Sequence, residues 1–448
     1  MLDRRGFLAS MGLATAGSLR GAFGAQESPP ASKTAPHPLH HPVSLHVDVR
    51  QSVGAFPHYW EEIVGSGRAV LALRSDYRQD LKLVHSNTGI NSVRFHGIFD
   101  DDVGVARLTP RGDVVYNFQY VDQIYDSLLE AGVMPFVELS FMPAALASGN
   151  KTVFWYKANT TPPKAMEAWT QMVTAFLHHL FDRYGGDELS RWAFEVWNEP
   201  NLDFWAGTQQ QYFELYHRTA TAVKAMDKRL RVGGPATAET AWAPEFIEYC
   251  AKEEAPIDFL STHIYANDPQ TKVFGHQTGY ALEDVIPLAL QKVKNQVQAS
   301  SMPHLPIYIT EWNSTFMNDS AITDTTFNAA FIVNTLSRCS GLVDAMSYWC
   351  FSDVFEEQGV PQEIFYGGFG MIAPRRIPKP SYHAFTLLHR LGAERYKTDS
   401  GPVLATQRSD GSVAIMVWNL TPRNKEGNPS PGEPLALQLL VDGLGRRN

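Results

Sequence analysis

Two patterns of apolar positions alternate along the chain from about residue 55 onward. Short runs rich in β-branched and aromatic residues, typical of buried strands, alternate with longer stretches whose apolar positions recur every three or four residues. This alternation predicts parallel strands, each followed by a covering helix. We predict strands at 91–95, 133–139, 192–197, 230–233, 258–263, 307–310 and 345–349, with a first strand between 54 and 70.

The helical stretches have the number and spacing expected for such units. They are predicted at 77–86, 118–130, 164–184, 209–227, 243–253, 282–299, 323–339 and 381–391. Eight strand–helix units make a (β/α)8 TIM barrel over residues 55–394 the predicted α/β fold. In that fold the functional side chains gather at the carboxyl ends of the strands.

The pattern changes near both ends of the chain. Residues 395–448 contain short strands separated by Pro- and Gly-rich turns, which predicts a small accessory β-sandwich joined by a strand at 43–54. Residues 27–42 are rich in Pro, Ser and His and lack apolar periodicity, so we interpret them as a linker. The prolines between its histidines argue against a compact metal-binding tract.

The first 26 residues have the features of an export signal. Arg4 and Arg5 precede a mildly apolar stretch that is too short to span a bilayer, and small residues at 22–25 offer a cleavage site. The paired arginines resemble a twin-arginine signal, and the alternative is an ordinary Sec-type signal. Either signal predicts an exported protein, in the bacterial periplasm, whose mature form is not inserted in a membrane.

Composition excludes several classes of function. A net charge of −9 and a pI near 5.9 argue against nucleic acid as a partner. Three cysteines are too few for a disulfide scaffold in a chain of 448 residues. The chain has no CxxC pair, HExxH helix or Gly-rich phosphate loop, so we predict neither a metal nor a cofactor.

Two glutamates occupy the positions where such a barrel performs chemistry. Glu199 follows the strand at 192–197 and is flanked by Trp197 and Pro200, while Glu311 ends a second strand. Partial desolvation there would favour a protonated Glu199, and two glutamates facing each other suit hydrolysis of a glycosidic bond. The alternative is a turn after a core strand and a solvated loop residue. The Trp and Asn neighbours of both glutamates argue against that alternative.

Six blocks of sequence around these residues resemble glycoside hydrolase family 39, a clan A family of β-xylosidases and α-L-iduronidases. The resemblance runs from about residue 55 to 420. Several matching blocks in the same order are more specific than the glutamate motif alone. The blocks are 94–99 (RFHGIF), 154–159 (FWYKAN), 197–202 (WNEPNL), 263–265 (HIY), 310–312 (TEW) and 348–357 (YWCFSDVFEE).

The resemblance implies roles for the residues in these blocks. It implies that Glu199 is the acid/base, that Glu311 is the nucleophile and that Asn198 bonds the sugar 2-hydroxyl. His96 would hold other sugar hydroxyls, although a histidine at a strand end is often structural. The remaining implied sugar-binding or nucleophile-supporting residues are His263, Tyr265, Trp349, Glu356 and Glu357.

Further predictions depend less directly on these motifs. His263 and Tyr265 share one strand face by the period of two, and their alternative role is a structural hydrogen bond. Glu356 and Glu357 could instead be a solvated loop pair, and Glu357 is favoured slightly as the member that contacts sugar. Candidate pocket walls are Phe141, Trp155 and Trp205.

The sequence therefore predicts a retaining, exo-acting β-D-xylosidase, monomeric, with xylo-oligosaccharides or similar small glycosides as substrates. Sequence spacing alone is also compatible with an inverting pair of carboxylates. The alternatives are an α-L-arabinopyranosidase, an α-L-iduronidase-like enzyme or a glycan-binding protein without activity.

Overall fold

The structure is a computed structural model that describes residues 42–399, 401–421 and 435–444. The predicted export signal and residues 27–41 of the predicted linker lie outside these described residues. Among the helices that are described, none combines the length and the apolar character needed to cross a bilayer.

The strands of the described residues are numbered here in chain order. They are β1 Val43–Ala55, β2 Val64–Arg68, β3 Ser92–His96, β4 Ala106–Leu108, β5 Val114–Tyr116, β6 Met134–Leu139, β7 Thr152–Val153, β8 Ala158–Asn159, β9 Ala193–Val196, β10 Arg231–Thr237, β11 Phe259–Tyr265, β12 Ile307–Asn313, β13 Ala345–Tyr348, β14 Ile372–Ala373, β15 Ile377–Pro378, β16 Glu394–Thr398, β17 Val403–Gln407, β18 Val413–Val417 and β19 Leu437–Asp442.

The helices follow the predicted spacing. Short 3₁₀ turns at Ala69–Leu73 and Ala238–Thr240 supplement the α-helices. The α-helices are α1 Ser75–Thr88, α2 Gln119–Glu130, α3 Met166–Leu189, α4 Gln209–Met226, α5 Ala243–Lys252, α6 Gln270–Phe274, α7 Leu282–Gln298, α8 Ser320–Thr323, α9 Thr326–Cys339 and α10 Pro380–His389.

Eight parallel strands close into a barrel, in the order β2, β3, β6, β9, β10, β11, β12, β13 and back to β2. The predicted TIM barrel is therefore confirmed. The first barrel strand, β2, lies within the predicted interval 54–70. Barrel strands are covered by helices outside and filled by side chains inside, which explains why their residues are apolar in continuous runs.

Strand β3 contains buried polar residues, which are candidates for a functional role because barrel strands are mostly apolar. All five of its residues are buried, and three of them, Ser92, Arg94 and His96, are polar. The period of two places Arg94 and His96 on the same face of the strand. Buried charges of this kind need partners, and these partners lie inside the barrel.

The accessory strands form a separate five-stranded sheet in the order β18, β17, β16, β1, β19. The pairing is antiparallel except between β1 and β19, which run parallel. Its small core contains Leu45, Val47, Tyr396, Val403 and Ala405. The N-terminal strand β1 thus joins the C-terminal strands, and in the described residues the accessory part is this single sheet.

Three short hairpins follow the carboxyl ends of barrel strands. They are β4–β5 after β3, β7–β8 after β6, and β14–β15 after β13. Because the eight barrel strands are parallel, all three hairpins decorate the same face of the barrel. That face is where the candidate site lies.

Candidate active site

The two predicted glutamates meet at the carboxyl face of the barrel. Glu199 follows β9 in a turn where its φ is +43°, and its backbone N–H donates to the Ala236 carbonyl at 2.8 Å. Glu311 lies within β12. Both residues are only 5% exposed. A carboxylate oxygen of each lies within 4.8 Å of the other and of a nitrogen of His263.

His263 lies between the two carboxyl groups. Its Nδ1 is 2.9 Å from Oε1 of Glu199 and 3.6 Å from Oε2 of Glu311. Its Nε2 is 3.1 Å from the hydroxyl of Thr310, which donates to Glu195 at 2.8 Å. The Thr310 hydroxyl has one proton, so it accepts from Nε2–H of His263. In its neutral form, with the proton on Nε2, His263 has an acceptor at Nδ1 for a proton carried by Glu199.

Glu311 is surrounded by donors that favour its charged form. The Tyr265 hydroxyl donates to Oε2 at 2.9 Å, and Arg94 Nη1 donates to Oε1 at 2.9 Å. Tyr265 reaches this position because it lies two residues after His263 on β11, on the same face. Hydrogen bonds and an opposite charge both stabilise a carboxylate, so the surroundings of Glu311 suit a nucleophile.

Arg94 organises the base of the site, and the sequence analysis did not assign it a role there. Its guanidinium is fully buried and pairs with Glu195 at 2.6 Å, Glu138 at 2.8 Å and Glu311 at 2.9 Å. Burial acts to lower the pKa of Arg94, but the three carboxylates raise it overall. An arginine between Val93 and Phe95, in a strand predicted to be buried, was the available signal.

His96 and Glu357 form the opposite wall. His96 Nδ1 lies 2.8 Å from Glu138, and its Nε2 lies 3.6 Å from Glu357 and 3.7 Å from Glu311. Burial acts to lower the pKa of His96, but Glu138 raises it to about 9. Burial raises the pKa of Glu357 to about 8, against the opposing effect of His96. A protonated Glu357 can donate a hydrogen bond to a sugar hydroxyl.

The aromatic and amide groups around these acids suit a sugar ring. Trp349 is 2% exposed and its ring centroid lies 4.8 Å from that of His96. The Phe141 ring lies 6.0 Å from the same imidazole. Asn198 accepts from Arg94 at 2.9 Å, and its amide nitrogen has no hydrogen-bond partner among the described residues. That nitrogen is a donor available to a hydroxyl.

The other predicted site residues lie further from the two glutamates. Glu356 turns away from Glu357 and bonds Arg68 at 3.1 Å and Arg74 at 2.9 Å. Trp155 is 58% exposed on the outer part of the carboxyl face, and its backbone N–H donates to the Glu357 backbone carbonyl at 2.8 Å. Trp205 is buried behind the turn that carries Glu199, with its ring centroid 5.0 Å from that of Trp197.

Two groups of described side chains have the donor atoms for a metal ion. One is Glu199, His263 and Glu311, and the other is a surface group at His58, Glu61 and His389. In the surface group both imidazoles bond Glu61, at 2.7 and 3.0 Å. In the site, the hydrogen bonds described above already engage the three side chains, and acid–base chemistry explains the arrangement without a metal.

The chain is similar to known glycosidases over most of its length. The sequence profile of glycosyl hydrolases family 39 matches residues 43–446. A β-xylosidase of Geobacillus stearothermophilus is 43% identical over 384 residues, which cover 83% of this chain and 76% of that protein. A β-xylosidase of Caldicellulosiruptor saccharolyticus is 43% identical over 365 residues, covering 80% and 73%. The crystal structure of a monomeric β-xylosidase from Caulobacter crescentus CB15 superposes with a TM-score of 0.82 at 37% identity, covering 90% of this chain and 84% of that one.

Proposed function

Because this chain belongs to glycosyl hydrolase family 39 and is a glycosidase, we propose that it is a retaining, exo-acting β-D-xylosidase. Its substrates are xylo-oligosaccharides, from which it releases xylose at the non-reducing end. The β-xylosidases of Geobacillus and Caldicellulosiruptor support the sugar assignment through their similarity over most of this chain.

The observation that carries the proposal is the close approach of Glu199 and Glu311, whose carboxylate oxygens lie within 4.8 Å. Retaining glycosidases hold their carboxyl groups about 5 to 5.5 Å apart, whereas inverting enzymes leave roughly 6.5 to 9.5 Å for a water molecule. The separation in this site supports direct attack by a carboxylate.

The reaction proceeds in two displacements. Glu311 attacks the anomeric carbon while Glu199 gives its proton to the leaving oxygen, so that the glycosidic bond breaks and an ester to Glu311 forms. Water then attacks the same carbon as Glu199 takes its proton, and the ester bond to Glu311 breaks. His263 supports both roles of Glu199 because its Nδ1 lies 2.9 Å from the carboxyl group.

The charges of the site favour a neutral sugar over a uronide. A sugar carboxylate in the site would need a cationic group or backbone donors, and His96, whose pKa is raised to about 9, already faces Glu311 and Glu357 at 3.7 and 3.6 Å. Arg94 is committed to three buried carboxylates, and Lys157 is an exposed residue of the outer loop. These observations argue against the α-L-iduronidase-like alternative.

Proton NMR of the protein with xylobiose tests this function. We expect β-xylose as the first product, before mutarotation equilibrates the anomers. Initial α-xylose would keep the glycosidase but overturn retention. Absence of cleavage would redirect the search to arabinopyranosides and iduronides, and then to glycan binding without hydrolysis.

Two further properties belong to the same proposal. We propose a monomer, supported by the Caulobacter relative whose structure is described as monomeric, and light scattering after size exclusion tests it. We also propose export to the periplasm through Arg4 and Arg5. Changing both to lysine should retain the protein in the cytoplasm of a bacterial host, whereas a Sec-type signal would still export it.

A further inference from the structure

A cavity of about 460 Å³ lies beside the active site on the carboxyl face. It is bounded by the first turns of α1, the loop after β13 and the turn between β14 and β15. Its volume falls within the roughly 300 to 1,000 Å³ of small-molecule sites. It adjoins the active site through Phe355, whose ring centroid lies 5.9 Å from that of Trp349.

Two arginines lie at the edge of this cavity. Arg375 and Arg376 form the turn between β14 and β15, and both are exposed. Within the described ranges neither side chain makes a hydrogen bond or an ion pair. Arg74, on the other side of the cavity, bonds Asp76 and Glu356. The turn therefore presents two guanidinium groups at the cavity edge, and the charge of Arg376 also opposes the rise in the pKa of Asp80.

The backbone of this turn makes the choice of residues unusual. Arg375 has φ +67° and Arg376 has φ +60°, the left-handed region that glycine and asparagine adopt with less strain. Stability alone does not favour arginine at either position. Strained residues of this kind point to a role for the side chain.

The inner wall supplies a polar group of the opposite kind. Asp80 of α1 lines the cavity and is 1% exposed. Its Oδ2 accepts from the Ser352 hydroxyl at 2.6 Å, while its Oδ1 has no hydrogen-bond partner in the described part of the chain. Burial raises the pKa of Asp80 to about 6, so the carboxyl group gains a proton at mildly acidic pH.

Part of the remaining lining is apolar and can contact the C–H groups of a sugar ring, while its three other carboxylates are already paired, Asp76 and Glu356 with Arg74 and Asp353 with Lys379. Phe355, Val360, Pro361 and Pro374 contribute this surface. A sugar site combines such surface with a few polar groups that fix orientation. Here a hydroxyl would pair with Asp80, and two guanidiniums match the geometry of a carboxylate.

We propose that this cavity is a second saccharide-binding site that takes a sugar bearing a carboxylate, a uronic acid. The carboxylate lies against Arg375 and Arg376, and a ring hydroxyl bonds Asp80. Since the cavity adjoins the active site through Phe355 and Trp349, it is placed to hold an acidic sugar of the glycan whose neutral end is hydrolysed. The binding itself requires no hydrolysis, so it stands independently of the proposed function.

Isothermal titration of the full-length protein with sodium D-glucuronate tests the proposal. We expect at least tenfold weaker binding after Arg375→Ala and Arg376→Ala are combined. The matched control combines Arg107→Ala and Arg111→Ala, which removes the same charge from exposed positions in or next to the β4–β5 hairpin and should leave binding unchanged. Both double variants should hydrolyse 4-nitrophenyl β-D-xyloside within twofold of the unmodified rate.

Three results would overturn the second site. The unmodified protein fails to bind glucuronate, or both double variants weaken binding equally through net charge alone. In the third, glucuronate competes with the aryl xyloside and its binding survives loss of Arg375 and Arg376, which would place it in the active site. A protein that binds glucuronate as expected but hydrolyses no xyloside would refute the proposed function and leave the second site standing.

Discussion

Two buried ionic clusters, one around Arg94 and one around Lys379, differ in the groups that surround them. In one, Arg94 holds Glu138, Glu195 and Glu311. In the other, Lys379, also fully buried, lies 2.6 Å from Asp324 and 3.1 Å from Asp353, and it donates to the Gly368 carbonyl at 2.6 Å.

Only one of the two clusters contacts the proposed catalytic glutamates. Lys379 directly precedes α10, and its ammonium group is buried and bonds the loop after β13. The Arg94 cluster instead supports Glu311 next to Glu199, His263 and Tyr265. A buried charge is therefore not by itself a sign of catalysis. The distinguishing feature of the Arg94 cluster is a second acidic group, Glu199, held close to the supported carboxylate of Glu311.

The largest expected effect comes from removing the supported carboxylate itself. Glu311→Ala should lower kcat on xylosides by a factor on the order of 10⁴ or more, because no covalent intermediate can form. The thermal midpoint should change much less than the activity. Steady-state kinetics and a thermal melt measure the two quantities. An activity loss below about tenfold would remove Glu311 from the nucleophile role.

Loss of the acid should depend on the leaving group. Glu199→Ala should lower kcat/KM on xylobiose by about 10²- to 10⁴-fold, because the departing sugar oxygen needs a proton. Aryl xylosides with acidic phenols should lose far less in the first displacement. Kinetics across a series of substituted phenyl xylosides measures this difference. Equal loss on all substrates would contradict the acid role of Glu199.

A matched pair of substitutions tests the comparison between the two clusters. Arg94→Met and Lys379→Met each leave buried carboxylates unpaired, so each should cost on the order of 3–5 kcal/mol of unfolding free energy. Only the change at Arg94 should also reduce kcat per folded molecule, since Lys379 does not touch the site. Denaturant unfolding and kinetics corrected for the folded fraction measure both. If Arg94→Met does not fold, Arg94→Lys retains the charge and should still lose activity. Equal specific activity in both variants would contradict the conclusion that only the Arg94 cluster supports catalysis.

The smallest effect concerns the pH dependence of stability. The pKa of Glu357 is raised from 4.5 to about 8, so the folded state keeps a proton that the unfolded chain releases. Stability from this group is complete below pH 4.5 and is lost as pH rises through about 8. Glutamine does not ionise, so the Glu357→Gln variant should lose less stability over this pH range. The drop in Tm between pH 4.5 and 9 should be smaller in the variant by roughly a few degrees. Parallel melts between pH 4.5 and 9 compare the proteins, and identical slopes would exclude a raised pKa at Glu357.

Much of the fold was predictable because its pattern is local. Each barrel strand is a short apolar run and each helix has its own periodicity, so eight alternating units identified the barrel and placed strands such as β6 and β9 within a few residues. The glutamates were predictable because each ends or follows a strand, and parallel strands bring those ends together. The N-terminal strand could be assigned to the accessory part, but its parallel pairing with β19 is a long-range contact that no local pattern specifies.

What the sequence by itself determined is the barrel, its order of strands and the two glutamates at its carboxyl face, since these follow from periodicity and motif. Only the tertiary structure decided which charges meet. It brought Arg94, Glu138 and Glu195 together from three strands and separated Glu356 from its neighbour Glu357. It also assembled the cavity of Asp80, Arg375 and Arg376 from distant segments. The physical reason is that electrostatic and hydrogen-bonding partners are set by distances across the folded barrel, whereas the pattern along the chain records only which residues are buried.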